Sequence, residues 1–168
     1  MKKVVVVSAH ADDESFGMGA SIHRMIAEGV EVHWLILSKL WEPKWSATQV
    51  ERRQDQIVKV TKSYPMASTT QWDYPDNKLD SIARDSLQNA MIHYLDKIQP
   101  DTIFTPGPWD FNFEHRVAYE ILEMSAKPYY SKYIKTICAY EIPSSTEWAF
   151  SDRPRFNPQI YWDVEDFL

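Results

Sequence analysis

Cysteine and glycine are both scarce in this sequence. The single cysteine, Cys138, cannot form an internal disulfide, which fits the reducing cytoplasm where we expect the protein to act. Only four glycines occur, and behind the first predicted strand there are just Gly17 and Gly19 rather than a Gly-x-Gly-x-x-Gly turn. Because carboxylates also stand where a pyrophosphate would bind, we exclude a dinucleotide-binding oxidoreductase.

Long apolar runs and an excess of positive charge are also missing. No stretch approaches the roughly 20 consecutive apolar residues that a membrane span needs. The apolar run after Met1-Lys2-Lys3 is four valines long, so we expect no secretory signal. The 18 basic and 24 acidic residues give a formal charge of −6, which argues against a nucleic-acid partner. With 44% hydrophobic residues and no visible linker, residues 1–168 are predicted to form a single domain.

The order of the predicted elements indicates an α/β fold. Strands alternate with helices through the first two-thirds of the chain, which favours parallel pairing with helices on both faces. We predict a Rossmann-like three-layer sandwich with a mostly parallel sheet, whose first four strands take the order 3-2-1-4. In that order the loops after strands one and four meet. The predicted strands are 3–7, 30–37, 70–72, 102–105, 134–140 and 159–164, and the predicted helices are 15–27, 47–62, 81–98 and 114–126.

The most informative segment lies directly behind the first predicted strand. Val4-Val5-Val6-Val7 is typical of a buried strand, and His10, Asp12, Asp13 and Glu14 follow it. Ionisable groups at the end of a core strand cost stability unless something compensates them, and a bound divalent metal is the simplest compensation. The first turn of a helix also favours carboxylates. This preference would account for one of these acids but poorly for all three together.

A second polar loop, residues 109–116, follows the fourth predicted strand. If the two loops meet, His10, Asp13 and His115 form a three-ligand face of two imidazoles and one carboxylate, which is typical of a catalytic zinc site. Asp12 is next to a ligand in the sequence but should point elsewhere. We therefore assign it as the general base.

Three neighbours of these residues are predicted to support the chemistry. Asn112 is placed to donate a hydrogen bond to a developing oxyanion or to the substrate. Glu14 and Asp110 are predicted to orient the imidazoles from outside the ligand set.

At its two polar loops the sequence resembles the LmbE-like (PIG-L-like) family of zinc-dependent N-acetylglucosaminyl deacetylases. Members carry Ala-His-Pro-Asp-Asp-Glu after the first strand and a His-x-Asp-His motif after a later one. This chain has Ala9-His10-Ala11-Asp12-Asp13-Glu14 and Asn112-Phe113-Glu114-His115. The resemblance implies zinc, or another divalent transition metal, held by the same three ligands, with the same aspartate as base.

The resemblance also implies the substrate class. The family acts mostly on N-acetylated sugars, so we expect a hydrolase that removes an acetyl group from an N-acetylated sugar or sugar conjugate in glycan biosynthesis. An arginine of the helix after strand two contacts substrate in the family; Arg53 is the best match here, and Arg52 is the alternative. Trp109 or Trp41 would either stack on a sugar face or serve in packing, and residues 144–148 are a candidate pocket wall.

Four departures from the family pattern bear on these expectations. Ala11 replaces a proline, which loosens the loop without removing a functional group. Asn112 replaces a histidine, and an amide can hydrogen-bond but cannot act as an acid. Glu114 replaces an aspartate and keeps its charge with a longer reach. The chain stops at Leu168, where members often continue with another helix, so a C-terminally short form is expected.

Two alternative functions stay open on the sequence. A sugar-binding protein that has lost turnover is favoured by Asn112 and disfavoured by Asp12, because binding alone needs no base. A magnesium-dependent phosphoesterase is disfavoured by His10 and His115, because magnesium prefers oxygen ligands. The expected partner is a small N-acetylated sugar, and self-association into a homo-oligomer is left open.

Overall fold

Five strands form one parallel sheet in the computed structural model, which describes residues 1–150 and 154–168. The strand order is β3-β2-β1-β4-β5, and each neighbouring pair is parallel. The predicted α/β class and the order 3-2-1-4 are therefore confirmed. The strands are β1 (Lys3–Ser8), β2 (Glu31–Lys39), β3 (Ser68–Pro75), β4 (Thr102–Pro106) and β5 (Thr136–Tyr140).

Helices cover both faces of the sheet because successive residues of β1 point to opposite sides. Val4 and Val6 pack with the apolar residues of α1, whereas Val5 and Val7 pack with those of α3 and α4. Ile57 of α2 packs on Trp34 and Ile36 of β2, on the α1 side. The result is a three-layer sandwich. The helices are α1 (Asp13–Ala27), α2 (Ala47–Ser63), α3 (Arg84–Ile98) and α4 (Phe113–Ser125).

Local sequence signals explain where these helices begin. Ser46 and Gln49 form a capping box at the start of α2. The Asn112 side-chain oxygen accepts a hydrogen bond from the Glu114 amide and caps α4. Asp12 occupies the same position before α1, but its side chain makes no capping hydrogen bond. Its carboxylate therefore has a different partner.

Two details of the predicted elements are wrong. Residues 159–164 do not form a strand, because this segment is held by side chains instead of a ladder: Trp162 packs edge-on against Phe104, and Arg24 donates to the Asp163 carbonyl. The apolar pattern of the predicted helix 15–27 also places Phe16 on the face packed against the sheet, but Phe16 is 62% exposed. Cys138 is half-buried on the edge strand β5.

None of the helices in the described part of the chain is long and apolar enough to cross a membrane.

Candidate metal centre and active-site cleft

The loops after β1 and β4 meet beyond the carboxyl ends of these neighbouring strands. His115 Nε2 lies 3.3 Å from His10 Nδ1 and 3.1 Å from Asp13 Oδ1. His10 Nδ1 and Asp13 Oδ1 are 3.8 Å apart. The other carboxylate oxygen of Asp13 accepts from the His10 backbone amide at 2.9 Å, which aims Oδ1 at the two rings. The three residues predicted as metal ligands thus converge on one point.

Two buried carboxylates hold the outer ring nitrogens of the histidines. Glu114 Oε2 lies 2.7 Å from His10 Nε2, and Asp110 Oδ1 lies 3.1 Å from His115 Nδ1. A carboxylate accepts hydrogen bonds, so each outer nitrogen carries the proton. In neutral rings the inner nitrogens then present lone pairs to each other and to Asp13. Three acceptors facing one another require either extra protons or a cation.

The pKa values of the three groups express the same conflict. Burial disfavours the charged form of His10, but hydrogen bonds with Asp13 and Glu114 outweigh it and raise the pKa to about 10. Burial acts the same way on His115, where the charge of Asp13 and the contact with Asp110 raise the pKa to about 9. Burial would raise the pKa of Asp13, yet the two histidines hold it well below its usual range. A divalent cation can replace these protons, since two imidazole nitrogens and one carboxylate oxygen within 4.8 Å suit a catalytic zinc ion.

Asp12 projects into the cleft instead of joining the ligand cluster. Arg53 donates to Asp12 Oδ2 at 3.1 Å and to the Ala11 carbonyl at 2.9 Å. This pair connects α2 to the loop after β1, and the Asp12 side chain stays 41% exposed. The proposed base and the proposed substrate-binding arginine therefore lie side by side on the cleft surface.

Asn112 lines the same cleft. Its side-chain oxygen is committed to capping α4, through the hydrogen bond to the Glu114 amide. The amide nitrogen Nδ2 donates to no residue in the described ranges, so it remains available to a ligand. Capping thus fixes which end of the amide faces the cleft.

Two residues predicted for the site lie elsewhere. Trp109 packs against Phe156, with ring centres 5.4 Å apart, and its ring also fills the space beside Gly107; it does not line the cleft. The Glu14 carboxylate accepts from the Ser15 hydroxyl, and no hydrogen bond joins it to either imidazole in the part of the chain described. Burial raises the pKa of Glu14 to about 7. One residue further along α1 than Asp13, it is rotated away from the ligand cluster.

Glu114 takes the position beside His10 that sequence reasoning gave to Glu14. Besides His10 Nε2, its carboxylate accepts from the backbone amides of Asn77 and Leu79 at 2.9 and 2.8 Å. The side chain is buried in the first turn of α4. The motif comparison identified Glu114 only as the residue that replaces the family's aspartate. Its contact with His10 joins two residues 104 positions apart, so no local sequence pattern predicts it.

Asp76 is a second residue that the sequence analysis missed. It follows β3, and its Oδ1 lies 3.6 Å from His10 Nε2. Its Oδ2 accepts from Trp45 Nε1 at 2.9 Å and from Asn77 Nδ2 at 2.7 Å, with Lys44 Nζ 3.4 Å away. The available signal was its place directly behind a strand of a parallel sheet, where polar residues gather.

The loop predicted as a pocket wall also reaches the centre. Ser144 and Ser145 line the cleft. The Ser145 and Thr146 hydroxyls donate to Asp110 Oδ2 at 2.9 and 2.8 Å, and Ser145 Oγ lies 3.3 Å from His115 Nδ1. Burial acts to raise the pKa of Asp110, but the hydrogen bond and charge of His115, with the Thr146 hydroxyl, lower it overall.

A cleft of about 930 Å³ opens above the cluster. Its lining includes a face of α2 with four long polar side chains and the exposed rings of Phe111 and Phe150, whose centres are 6.0 Å apart. The α2 residues are Gln49, Arg52, Arg53 and Gln56.

The fold is shared with solved proteins of differing activity. A conserved protein of Thermus thermophilus, TT1542, is 19% identical with a TM-score of 0.78, covering 99% of this chain and 74% of its own. The N,N'-diacetylchitobiose deacetylase of Pyrococcus horikoshii is 23% identical with a TM-score of 0.62, covering 78% and 53%. GalB, the 4-carboxy-2-hydroxymuconate hydratase of Pseudomonas putida, is 20% identical with a TM-score of 0.62, covering 74% and 55%.

These likenesses establish the fold, and a fold shared by a deacetylase and a hydratase does not specify the reaction. The aligned part is little more than half the length of the latter two proteins. No curated protein matches this sequence. The family model described as PIG-L, GlcNAc-PI de-N-acetylase, matches residues 5–126, which include both polar loops. The chain therefore belongs to the PIG-L family, as its motifs predicted.

Proposed function

We propose that this protein is a metal-dependent hydrolase that removes the acetyl group from an N-acetylated sugar or sugar conjugate. The observation that carries the proposal is the convergence of three acceptors, His10 Nδ1, His115 Nε2 and Asp13 Oδ1, beside the exposed carboxylate of Asp12. Membership in a de-N-acetylase family supports the reaction type. The substrate we propose belongs to glycan biosynthesis.

Zinc is the cation we propose for the cluster. The donor set of two imidazole nitrogens and one carboxylate oxygen is the borderline-soft set that zinc accepts and magnesium uses poorly. When bound, the ion supplies Lewis acidity to the acyl carbonyl and to the attacking water. Glu114 and Asp110 keep both histidines in the tautomer that this role requires.

Asp12 is the proton carrier in this scheme. Its carboxylate accepts a proton from the attacking water, whose oxygen forms the new bond to the acyl carbon. The protonated Asp12 then gives the proton to the departing nitrogen as the carbon–nitrogen bond breaks. Acetic acid and a primary amine are the products, and they ionise to acetate and an ammonium group at neutral pH, so atoms and charge balance. Arg53 restrains Asp12 at the cleft surface between these two transfers.

Asn112 is the proposed hydrogen-bond donor to the developing oxyanion. Its Nδ2 faces the cleft because its oxygen caps α4. A neutral amide can stabilise negative charge by donating, but it cannot protonate the leaving group. Asp12 must therefore serve as both base and acid.

Primary-amine release from a panel of N-acetylhexosamine derivatives tests the proposal. The zinc-loaded protein should release amine, and Asp12→Asn should lower kcat by about 10²–10⁴ while zinc content stays at one ion per chain. Asp55→Asn, an exposed carboxylate on the outer side of α2, is the matched control and should keep full activity. A loss below about tenfold in Asp12→Asn contradicts its role as base.

A non-catalytic sugar-binding protein is the second candidate, and Asn112 in place of an acid is the observation that favours it. Titration of the zinc-loaded protein with the same panel separates the two. Stoichiometric binding without amine release would establish binding alone.

A further inference from the structure

The segment that follows β5 holds the Asp110 carboxylate on the side away from His115. Asp110 Oδ1 accepts from the Asn112 backbone amide at 2.8 Å and lies 3.1 Å from His115 Nδ1. Asp110 Oδ2 accepts from the hydroxyls of Ser145 and Thr146 at 2.9 and 2.8 Å. The carboxylate, the imidazole and both hydroxyl residues are buried. One proposed metal ligand is therefore connected, through a carboxylate, to a turn about 30 residues further along the chain.

The direction of each hydrogen bond in this network follows from the chemistry of its groups. The Ile142 backbone amide donates to Thr146 Oγ1 at 2.9 Å, so the hydroxyl proton is directed to Asp110. An ionised carboxylate only accepts, so both hydroxyls donate to Oδ2 and His115 donates its Nδ1 proton to Oδ1. The lone pair of His115 Nε2 then faces Asp13, 3.1 Å away.

The two hydroxyls fix the plane of the carboxylate. The terminal torsion of an aspartate has a broad distribution, so the group turns easily when only one oxygen is held. Rotation would move Oδ1 away from the imidazole, and a metal centre tolerates ligand displacements of only about 0.5 Å. The hydroxyls are themselves held by a turn, in which the amides of Ser145 and Thr146 both donate to the Ile142 carbonyl at 2.9 Å.

This turn lies outside the part of the chain that matches the family model. The match covers residues 5–126, which include the three proposed ligands and Asp110, whereas the hydroxyls belong to residues 145 and 146. Groups that orient a metal-binding histidine from outside the ligand set affect both its tautomer and its affinity for the metal. The segment after β5 can therefore affect the metal centre without contributing a ligand to it.

We propose that Ser145 and Thr146 are positioning residues of the metal centre. Through Asp110 they keep His115 in the orientation that binds the cation, and cation binding in turn stabilises the turn at residues 142–146. The inference rests on the proposed function, because it concerns the metal centre of that site. The two effects are reciprocal, since coupling between two equilibria changes both by the same factor.

The zinc affinity of the whole chain, measured by competition with a chromogenic chelator, tests the inference. Ser145→Ala and Thr146→Val each remove one hydroxyl with little change in shape. We expect the double variant to raise Kd for zinc by about 10- to 100-fold, the range typical of changes around a metal-binding histidine. Thr146→Ser keeps the hydroxyl and should restore the affinity that Thr146→Val loses.

Ser125→Ala is the matched control. The Ser125 hydroxyl is also buried and belongs to α4, the helix that carries His115, but it donates to the Ile121 carbonyl at 2.7 Å. It lies about 15 Å along the helix axis from His115. This variant should keep the zinc Kd of the unaltered protein. An unchanged Kd in the double variant, or an equal loss in Ser125→Ala, overturns the inference while the deacetylase proposal stands.

Hydrogen exchange of the unaltered protein distinguishes positioning from a structural role, and it does not depend on any variant folding. Zinc should slow exchange of the Ser145 and Thr146 amides by a factor similar to the loss of affinity in the double variant. Unchanged exchange on adding zinc overturns the coupling. Zinc-dependent protection together with the affinity loss supports the inference even if no substrate yields amine and the deacetylase proposal fails.

Discussion

At the scale of single residues, His10 and His115 are held by carboxylates on one side and face a carboxylate on the other. Glu114 and Asp110 occupy the outer nitrogens, and Asp13 lies between the inner ones. In the absence of a metal, protons have to fill the space between these acceptors, which is why the pKa of each histidine is raised. The arrangement that we propose binds a cation thus makes the metal-free protein sensitive to pH.

The first prediction concerns this pH dependence. A histidine whose folded pKa is raised contributes stability that is fully present below its unfolded pKa of about 6.5 and is lost as pH rises through the folded value. With folded pKa values of about 9 for His115 and about 10 for His10, the metal-free protein should lose stability progressively from about pH 7 to pH 10. Urea unfolding of chelator-treated protein across this range measures the effect.

The control for this prediction is the double variant His10→Gln/His115→Gln. All other side chains are common to both proteins, so the difference between the two profiles isolates the two imidazoles. Parallel profiles would contradict the assignment of charged histidines to the metal-free site.

At the scale of elements, Asp76 connects the loop between β2 and α2 to the ligand cluster. Its carboxylate accepts from Trp45, which lines the cleft, and lies 3.6 Å from His10. Its backbone carbonyl also accepts from Trp41 Nε1 at 3.0 Å. The Asp76 carboxylate therefore links the wall of the cleft to one proposed ligand, which Glu114 also contacts.

Asp76→Asn tests this connection. The amide of the variant would place an N–H donor against the N–H groups that now donate to the carboxylate. We therefore expect zinc affinity or kcat/KM to fall by about 10- to 100-fold, as is typical when an outer partner of a metal ligand is changed. Asp73→Asn is the matched control, because Asp73 lies on β3 three residues before Asp76. Its side chain is 87% exposed, so the variant should change activity less than about twofold. Equal behaviour of the two variants would refute the connection.

The contact between α1 and β5 gives a stability prediction. A Cβ on Gly17 would clash with the Tyr140 ring and lie 2.6 Å from the Glu141 carbonyl oxygen. Among the residues that the structure describes, one on Gly19 would meet only the Tyr64 hydroxyl, at 3.0 Å. Gly17→Ala should destabilise the protein by about 1–3 kcal/mol, because backbone and ring must both move.

Gly19→Ala should be neutral or stabilising by up to about 1 kcal/mol, since alanine favours the helix and the end of Tyr64 can yield. Denaturant midpoints of the two variants at matched slope measure the difference. A Gly17→Ala protein as stable as Gly19→Ala would show that α1 is not seated against Tyr140 as described.

At the scale of the whole molecule, the proposed ligands come from segments 105 residues apart that only the sheet brings together. Parallel β1 and β4 end at the same edge, and α1 and α4 begin there. An ion bound by both segments exists only in the folded state, so binding should stabilise the fold as a unit.

Thermal unfolding with and without zinc tests this. At a free zinc concentration of about 100 times Kd, linkage adds about 2.7 kcal/mol, which corresponds to a rise in Tm of about 5–10 °C for a chain of this length. The double variant His10→Gln/His115→Gln should show no rise. An equal rise in both proteins would place the zinc elsewhere.

Much of this architecture was predictable because its signals are local. Four apolar β-branched residues in a row specify β1, and strand–helix alternation with short connections restricts the strand order. The predicted strand at 159–164 was wrong because an alternating apolar pattern also suits a segment held by Trp162 and Arg24. Trp109 resembled a site residue by position alone, and its ring turned out to pack on Phe156.

The sequence by itself determined which residues could serve as metal ligands and base, and that they follow strands whose carboxyl ends share one edge. Only the tertiary structure decided which carboxylate accompanies which imidazole. The Glu114 carboxylate contacts His10, the Glu14 carboxylate binds Ser15 instead, and Asp76, directly after β3, lies beside His10. The physical reason is that a side-chain hydrogen bond depends on directions set by several packed elements together, and no local stretch of sequence encodes those directions.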